Sequence, residues 1–172
     1  MSTSDKPYHH GDLRAALLDA ADALLDAGGD GAVSLREAAR MAGVSATAAY
    51  RHFADKDALL AALAARHFAQ FGAALAGRPL GDMGVAYIRF ALARPGRFRL
   101  MFGPLLQRSG QHAELSAASS AALAGLYAAA PSEEAALRAW GLVHGLAHLM
   151  LDGALPAEDP EALIRRLLLP PC

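Results

Sequence analysis

Between Ser34 and Lys56 the sequence SLREAARMAGVSATAAYRHFADK leaves little freedom in what the surrounding chain can fold into. Ser34 followed three residues later by Glu37 is a capping box, in which the serine oxygen takes one orphan amide and the glutamate reaches back for another, so a helix starts there. Leu35, Ala38, Ala39 and Met41 give that helix an apolar side. Gly43 suits the left-handed residue just past its end. Ser45 can cap a second helix, expected over Ala46 to Phe53, after a turn of about three residues. Two short helices so joined form a helix-turn-helix, and a second helix that begins Ala46, Thr47, Ala48, Ala49 can approach another surface closely. Tyr50, Arg51 and His52 follow, with Lys56 just beyond, and Arg36 lies on the first helix; these can donate to phosphate oxygens. Of the two aromatic residues three apart, Phe53 reads as a core anchor and Tyr50 as a phosphate contact through its hydroxyl.

The order V-S-x-x-x-x-Y-x-H-F-x-x-K, here Val44 to Lys56, resembles the DNA-binding signature of the TetR family of bacterial repressors. The resemblance implies an all-α protein with a three-helix helix-turn-helix head and a C-terminal helical bundle, working as a homodimer. It also implies that the second helix enters the major groove of double-stranded DNA, roughly 12 Å wide, with its first turn on base edges. On this reading the DNA contacts are His10, Arg36, Ser45, Ala46, Thr47, Tyr50, Arg51, His52 and Lys56. Tyr8, His9 and His10 fall where many members of the family carry an arm that touches phosphates or the minor groove; a free surface cluster is the alternative.

Composition agrees with helices. Of the 172 residues 54% are hydrophobic, many of them alanine, and only 6% are aromatic, a mixture that favours packed helices over sheets. A net charge of -1 is not that of a non-specific nucleic-acid binder. The positive charge is local: residues 1–33 hold two basic side chains against six acidic ones, whereas 34–56 hold four against two. Few phosphate neutralisations and a modest salt slope follow. The single cysteine, Cys172, excludes a disulfide within the chain. The polar start MSTSDKPYHHGDLR has no apolar secretory core, so a cytoplasmic location is expected.

Elsewhere Leu13, Leu17, Ala20 and Leu24 mark an amphipathic helix from Gly11 to Ala27, and Gly28, Gly29, Asp30 and Gly31 end it. Asp55 caps a longer helix, Lys56 to Leu75, with Leu59, Leu60, Leu63, His67, Phe68 and Phe71 on its apolar side. Gly77 to Gly84 is the break between an N-terminal DNA-binding part, 1–56 with a connecting helix over 57–76, and a C-terminal ligand-binding and dimerisation part, 77–172. Further helices are expected over Met83–Arg94, Pro95–Phe102, His112–Ala129, Ser132–Leu155 and Glu161–Leu169, with a loop over Leu105–Gln111. The apolar run Ala139–Leu151 is too short to span a bilayer and reads as a core or interface helix. Its Trp140, His144 and Gly145, spaced W-x-x-x-H-G, resemble the signature of a C-terminal subgroup of the same family. The surfaces of the last two helices are the dimer-interface candidates.

The resemblance further implies a hydrophobic small-molecule effector, assigned to Tyr87, Phe90, Phe98, Met101, Phe102, Tyr127, Trp140 and His144, whose binding relieves repression at a palindromic operator. Arg89, Arg94, Arg97 and Arg99 read either as an anion patch or as solvated arginines with carboxylate partners. His144 and His148, one turn apart, have zinc-binding spacing, with His112 or Asp152 as further ligands. Gly145 stands where a metalloprotease needs its glutamate, so hydrolysis is unsupported. Hydrogen bonding within the core or to an organic ligand are the other readings of that pair, and no metal or cofactor is assigned. With no phosphate loop, nucleophile elbow or cysteine-histidine pair, an enzyme has no visible machinery. A ligand-free DNA-binding dimer, or a helical carrier or enzyme with a vestigial head, are the alternatives.

Overall fold

The computed structural model describes residues 10–155 and 159–168, with side chains placed from Leu13 to Leu155 and from Asp159 to Leu167. The expected arm at Tyr8 and His9 lies outside them, as does the side chain of His10. Among the described residues every regular element is helical. The chain divides into two compact units, 1–63 and 64–172.

The N-terminal unit holds α1 (His10–Ala32), α2 (Leu35–Met41), α3 (Ala46–Tyr50) and the start of α4 (Lys56–Leu75). Helix α1 extends past the expected Ala27, but Gly28 and Gly29 are non-helical inside it, and Gly29 takes φ +71°, a value that glycine adopts without steric cost. The glycines therefore kink the helix instead of ending it. Leu17, Ala21 and Leu25 form its buried stripe, joined by Val33 just before the next helix.

Helix α2 starts as its capping serine demands: the Ser34 hydroxyl accepts from the Glu37 amide at 3.2 Å. The other half of the expected box is replaced. The Glu37 carboxylate accepts from the Arg40 guanidinium at 3.1 Å, because a charged partner one turn ahead competes well against a neutral backbone amide. Helix α2 ends in a Schellman motif: the Val44 amide donates to the Ala39 carbonyl at 2.9 Å, the Gly43 amide to the Arg40 carbonyl at 3.2 Å, and Gly43 sits at φ +70°. Met41, expected inward, is 46% exposed, since the chain turns immediately after it. Ser45 caps α3 through the Ala48 amide at 3.2 Å. Helix α3 ends at Tyr50, and 51–53 is a turn that carries Phe53 back into the core.

Asp55 caps α4, its carboxylate accepting from the Ala58 amide at 2.8 Å. By length and composition α4 could cross a membrane, but 61% of its most apolar window is buried within the protein, the pattern of a core helix.

The C-terminal unit holds the rest of α4, then α5 (Leu80–Ala93), α6 (Pro95–Met101), α7 (Pro104–Gln107), a 3-10 turn (Ser109–Gln111), α8 (Ala113–Ala129), α9 (Glu133–Leu151) and α10 (Pro160–Leu168). The expected break at 77–84 is shorter, because α5 already begins at Leu80. The expected loop at 105–111 is α7 and the 3-10 turn: Pro104 at a first helical position and the buried Leu105 are enough to close one turn. Helix α9 stops at Leu151, where Asp152 caps it, four residues before the expected end. Helix α5 packs on α9 and α10. Arg89 meets Glu161 at 2.6 Å, and Arg99 meets Asp152 at 3.0 Å, which favours carboxylate partners over an anion patch for these two arginines.

Candidate nucleic-acid interface and cavity

The N-terminal unit presents α3 as a low, small-faced ridge. Ser45 and Thr47 are exposed, Ala46 and Ala48 half-buried, and Ala49 is buried beneath them. Tyr50 stands out at 47% exposure while Phe53 is 3% exposed, with the Arg14 guanidinium 5.4 Å from its ring centre. The two aromatic residues thus divide as their chemistry suggests. Arg36 and Arg51 are exposed and His52 half-buried. The Lys56 ammonium donates to the Asp30 carbonyl at 2.7 Å, a tether that the sequence does not advertise because 26 residues separate the partners.

The C-terminal unit holds a half-open cavity of about 370 Å³. Phe68 and Phe71 of α4, Tyr87 of α5, Phe102 after α6 and Trp140 of α9 supply its aromatic wall, and Ser119 and Ser120 of α8 its hydroxyls. Of the residues assigned from sequence, Tyr87, Phe102 and Trp140 line it. Phe90, Phe98, Met101, Tyr127 and His144 are not part of that lining. Phe98 and Met101 are fully buried, and His144 lies behind the wall, bonded to the Tyr87 hydroxyl at 2.7 Å. Phe68 and Phe71 carried the same sequence signal as core residues, and two serines in an alanine-rich helix carried none, so spacing alone could not find them.

The rings interlock edge to face: Phe71 lies 5.0 Å from Tyr87, and Phe68 5.4 Å from Phe102, distances at which aromatic quadrupoles attract. His144 is 5.0 Å from Phe102 and 4.6 Å from His148 between ring centres. Burial pushes the Tyr87 hydroxyl above its ordinary range, with the nearby Trp140 indole acting in the opposite sense. Burial, and secondarily the charge of a protonated His148, hold His144 below the ordinary imidazole value of 6.5. The unfolded chain then binds the extra proton, so this contribution to stability is present above 6.5 and is lost as the pH falls through the folded-state value. We expect the thermal midpoint to fall between about pH 7.5 and pH 5.5, and His144→Gln to reduce that fall. An unchanged slope in melts of the variant would assign the acid limb to other groups. Among the described residues no group of three or more metal-ligating side chains converges.

With this geometry in place the comparisons are decisive. Residues 17–63 match the model of the bacterial regulatory proteins of the tetR family, and residues 80–169 match the tetracyclin repressor-like C-terminal domain. The chain belongs to the TetR family. The finer Trp-His-Gly grouping is not carried by the description of the matched C-terminal domain. A protein of unknown function from Rhodococcus sp. RHA1 is 31% identical, with a TM-score of 0.81 over 95% of each chain. A TetR transcriptional regulator from Rhodococcus sp. RHA1 is 24% identical, with a TM-score of 0.66 over 94% of this chain and 98% of that one. The multidrug binding protein EbrR, solved with ethidium, is 20% identical, with a TM-score of 0.71 over 93% and 98%. These last two show the shared fold. No curated protein matches the chain. The TetR-family assignment makes the N-terminal unit a DNA-binding helix-turn-helix and the whole a transcription regulator.

Proposed function

We propose that this TetR-family regulator is a homodimeric repressor, released from a palindromic operator when a hydrophobic small molecule enters the cavity of its C-terminal unit. The observation that carries the reading is the α3 ridge, Ser45 to Tyr50, on which Ser45, Thr47 and Tyr50 are exposed while Ala49 and Phe53 anchor it from below. One such short helix reads too little DNA alone. Two related by a two-fold axis would read half-sites about 34–36 Å apart. Leu137, Leu142 and Leu149 of α9 and Leu167 of α10 are each 45% to 49% exposed, the large apolar surface that a second copy would cover. The cavity favours an effector over a body that only dimerises, and the neighbour EbrR complexed with ethidium shows that this fold can hold a small molecule. A ligand of differential affinity shifts the dimer toward the arrangement that no longer fits the operator.

The test is a duplex selected from a random pool, followed by titration and sedimentation of the complex. A complex of one duplex with two chains is expected, and a monomer that binds equally well would sink the reading. Thr47 is exposed in the first turn of α3, which supports a base-edge role for it. We expect Thr47→Ala to change the selected sequence at one position of each half-site while lowering affinity for the best site by less than about tenfold. Equal weakening on all duplexes would move Thr47 to the backbone contacts.

A further inference from the structure

The lining of the cavity carries a chemical preference. We propose that the molecule taken up there is uncharged and largely apolar, with one hydroxyl or amide donor that bonds to the Tyr87 oxygen, and that permanent cations are turned away. This rests on the effector reading above and adds the ligand's class.

Three observations support it. First, among the described residues no Asp, Glu, Lys, Arg or His lines the cavity; the polar side chains there are Ser119, Ser120, Tyr87 and Trp140. A cation would gain from the faces of Phe68, Phe71, Phe102 and Trp140, but such gains are small beside the loss of its hydration when no carboxylate replaces it. An anion meets the same difficulty without a lining arginine or lysine. Second, the titratable side chain bonded to the wall is basic: His144, bonded to Tyr87 at 2.7 Å, with His148 at 4.6 Å behind it. Any proton that this pair takes up sets positive charge behind Tyr87 and Phe102 and opposes a cation further. Third, Tyr87 is a prepared polar end. The Tyr87 hydroxyl shares a hydrogen bond with His144 Nδ1 at 2.7 Å, and since a phenol oxygen has two lone pairs, at least one remains for a ligand's donor. Ser119 is occupied by the Ser116 carbonyl at 3.2 Å.

Trp140 is the only tryptophan in the chain, so its fluorescence in the full-length protein reports on the cavity directly. The probes are 4-tert-butylphenol and trimethyl(4-hydroxyphenyl)ammonium, equal in shape and differing in one central atom, carbon against cationic nitrogen. Saturable binding of the phenol is expected, at least about tenfold tighter than that of the ammonium, with thermal melts in agreement. Ethidium, the larger cationic arm, is expected to bind no better than the ammonium. Binding of either cation as tightly as the phenol overturns the proposal, and so does silence of the phenol up to about 1 mM in both measurements. For the polar end, Tyr87→Phe is expected to weaken the phenol about fivefold and leave tert-butylbenzene unchanged; equal weakening of both overturns the bond to Tyr87. Operator release is read separately: a phenol that binds with the stated preference but leaves DNA binding intact sinks the effector reading and spares the lining preference.

Discussion

Tyr50→Ala is expected to weaken operator binding by about 30-fold or more while the protein melts within about 2 °C of the parent. The two halves of that expectation have different causes. Tyr50 is 47% exposed at the end of α3, so truncating it uncovers little of the core and opens no cavity. On the proposed reading a phenol hydroxyl on a phosphate beside α3 would orient the whole helix in the groove, and a symmetric dimer would lose that contact twice. At about 1–3 kcal/mol per contact, two losses amount to a factor between roughly 30 and 10⁴. Anisotropy titrations at one fixed salt concentration measure it, and a loss under tenfold would remove Tyr50 from the interface. Lys56 is a less clean target, since its ammonium also holds the Asp30 carbonyl and Lys56→Ala would disturb both jobs at once.

Phe98→Ala is the second large effect, and it falls on stability. Phe98 has no exposed surface, and its ring lies 4.8 Å from Phe102 and within 6 Å of Tyr87, His144 and His148. Removing a buried phenyl ring costs about 3–5 kcal/mol, through lost transfer energy and the cavity left behind. Against a typical total of about 5–15 kcal/mol that is a large share. A fall in thermal midpoint of roughly 6–20 °C follows. Phe98→Leu, which keeps most of the volume, is expected to lose far less. Circular dichroism melts of the two variants decide it, and an alanine variant within 2 °C of the parent would show that the cluster is not the core of its unit.

The contrast between Tyr50 and Phe98 also marks how far the sequence could be read. Ser34, Gly43, Ser45 and Asp55 act on residues three to five positions away, and such local signals placed the helices of the N-terminal unit to within a few residues. The response of Glu37 to Arg40, the outward turn of Met41, the continuation of α1 past its glycines and the tether from Lys56 to Asp30 escaped. The cavity depends on another kind of information. Its wall is assembled from α4, α5, α7, α8, α9 and α10 and from Phe102, and nothing in the local pattern of Phe68 or Phe71 distinguishes a wall residue from a core residue. Phe98 and Met101 sit one helical turn apart, like pocket residues, yet both are fully buried and neither lines the space that Phe102 lines. The short α7 was missed because one turn is below the length at which periodicity can speak.

The tether between Lys56 and Asp30 gives that corner of the molecule a double allegiance. An ammonium has three protons, and the carbonyl at the kinked end of α1 takes one of them. Two remain to reach outward, so a phosphate grasped there would be wired to the Gly28–Gly29 kink through a single nitrogen, and a grip on DNA would brace the bend behind it.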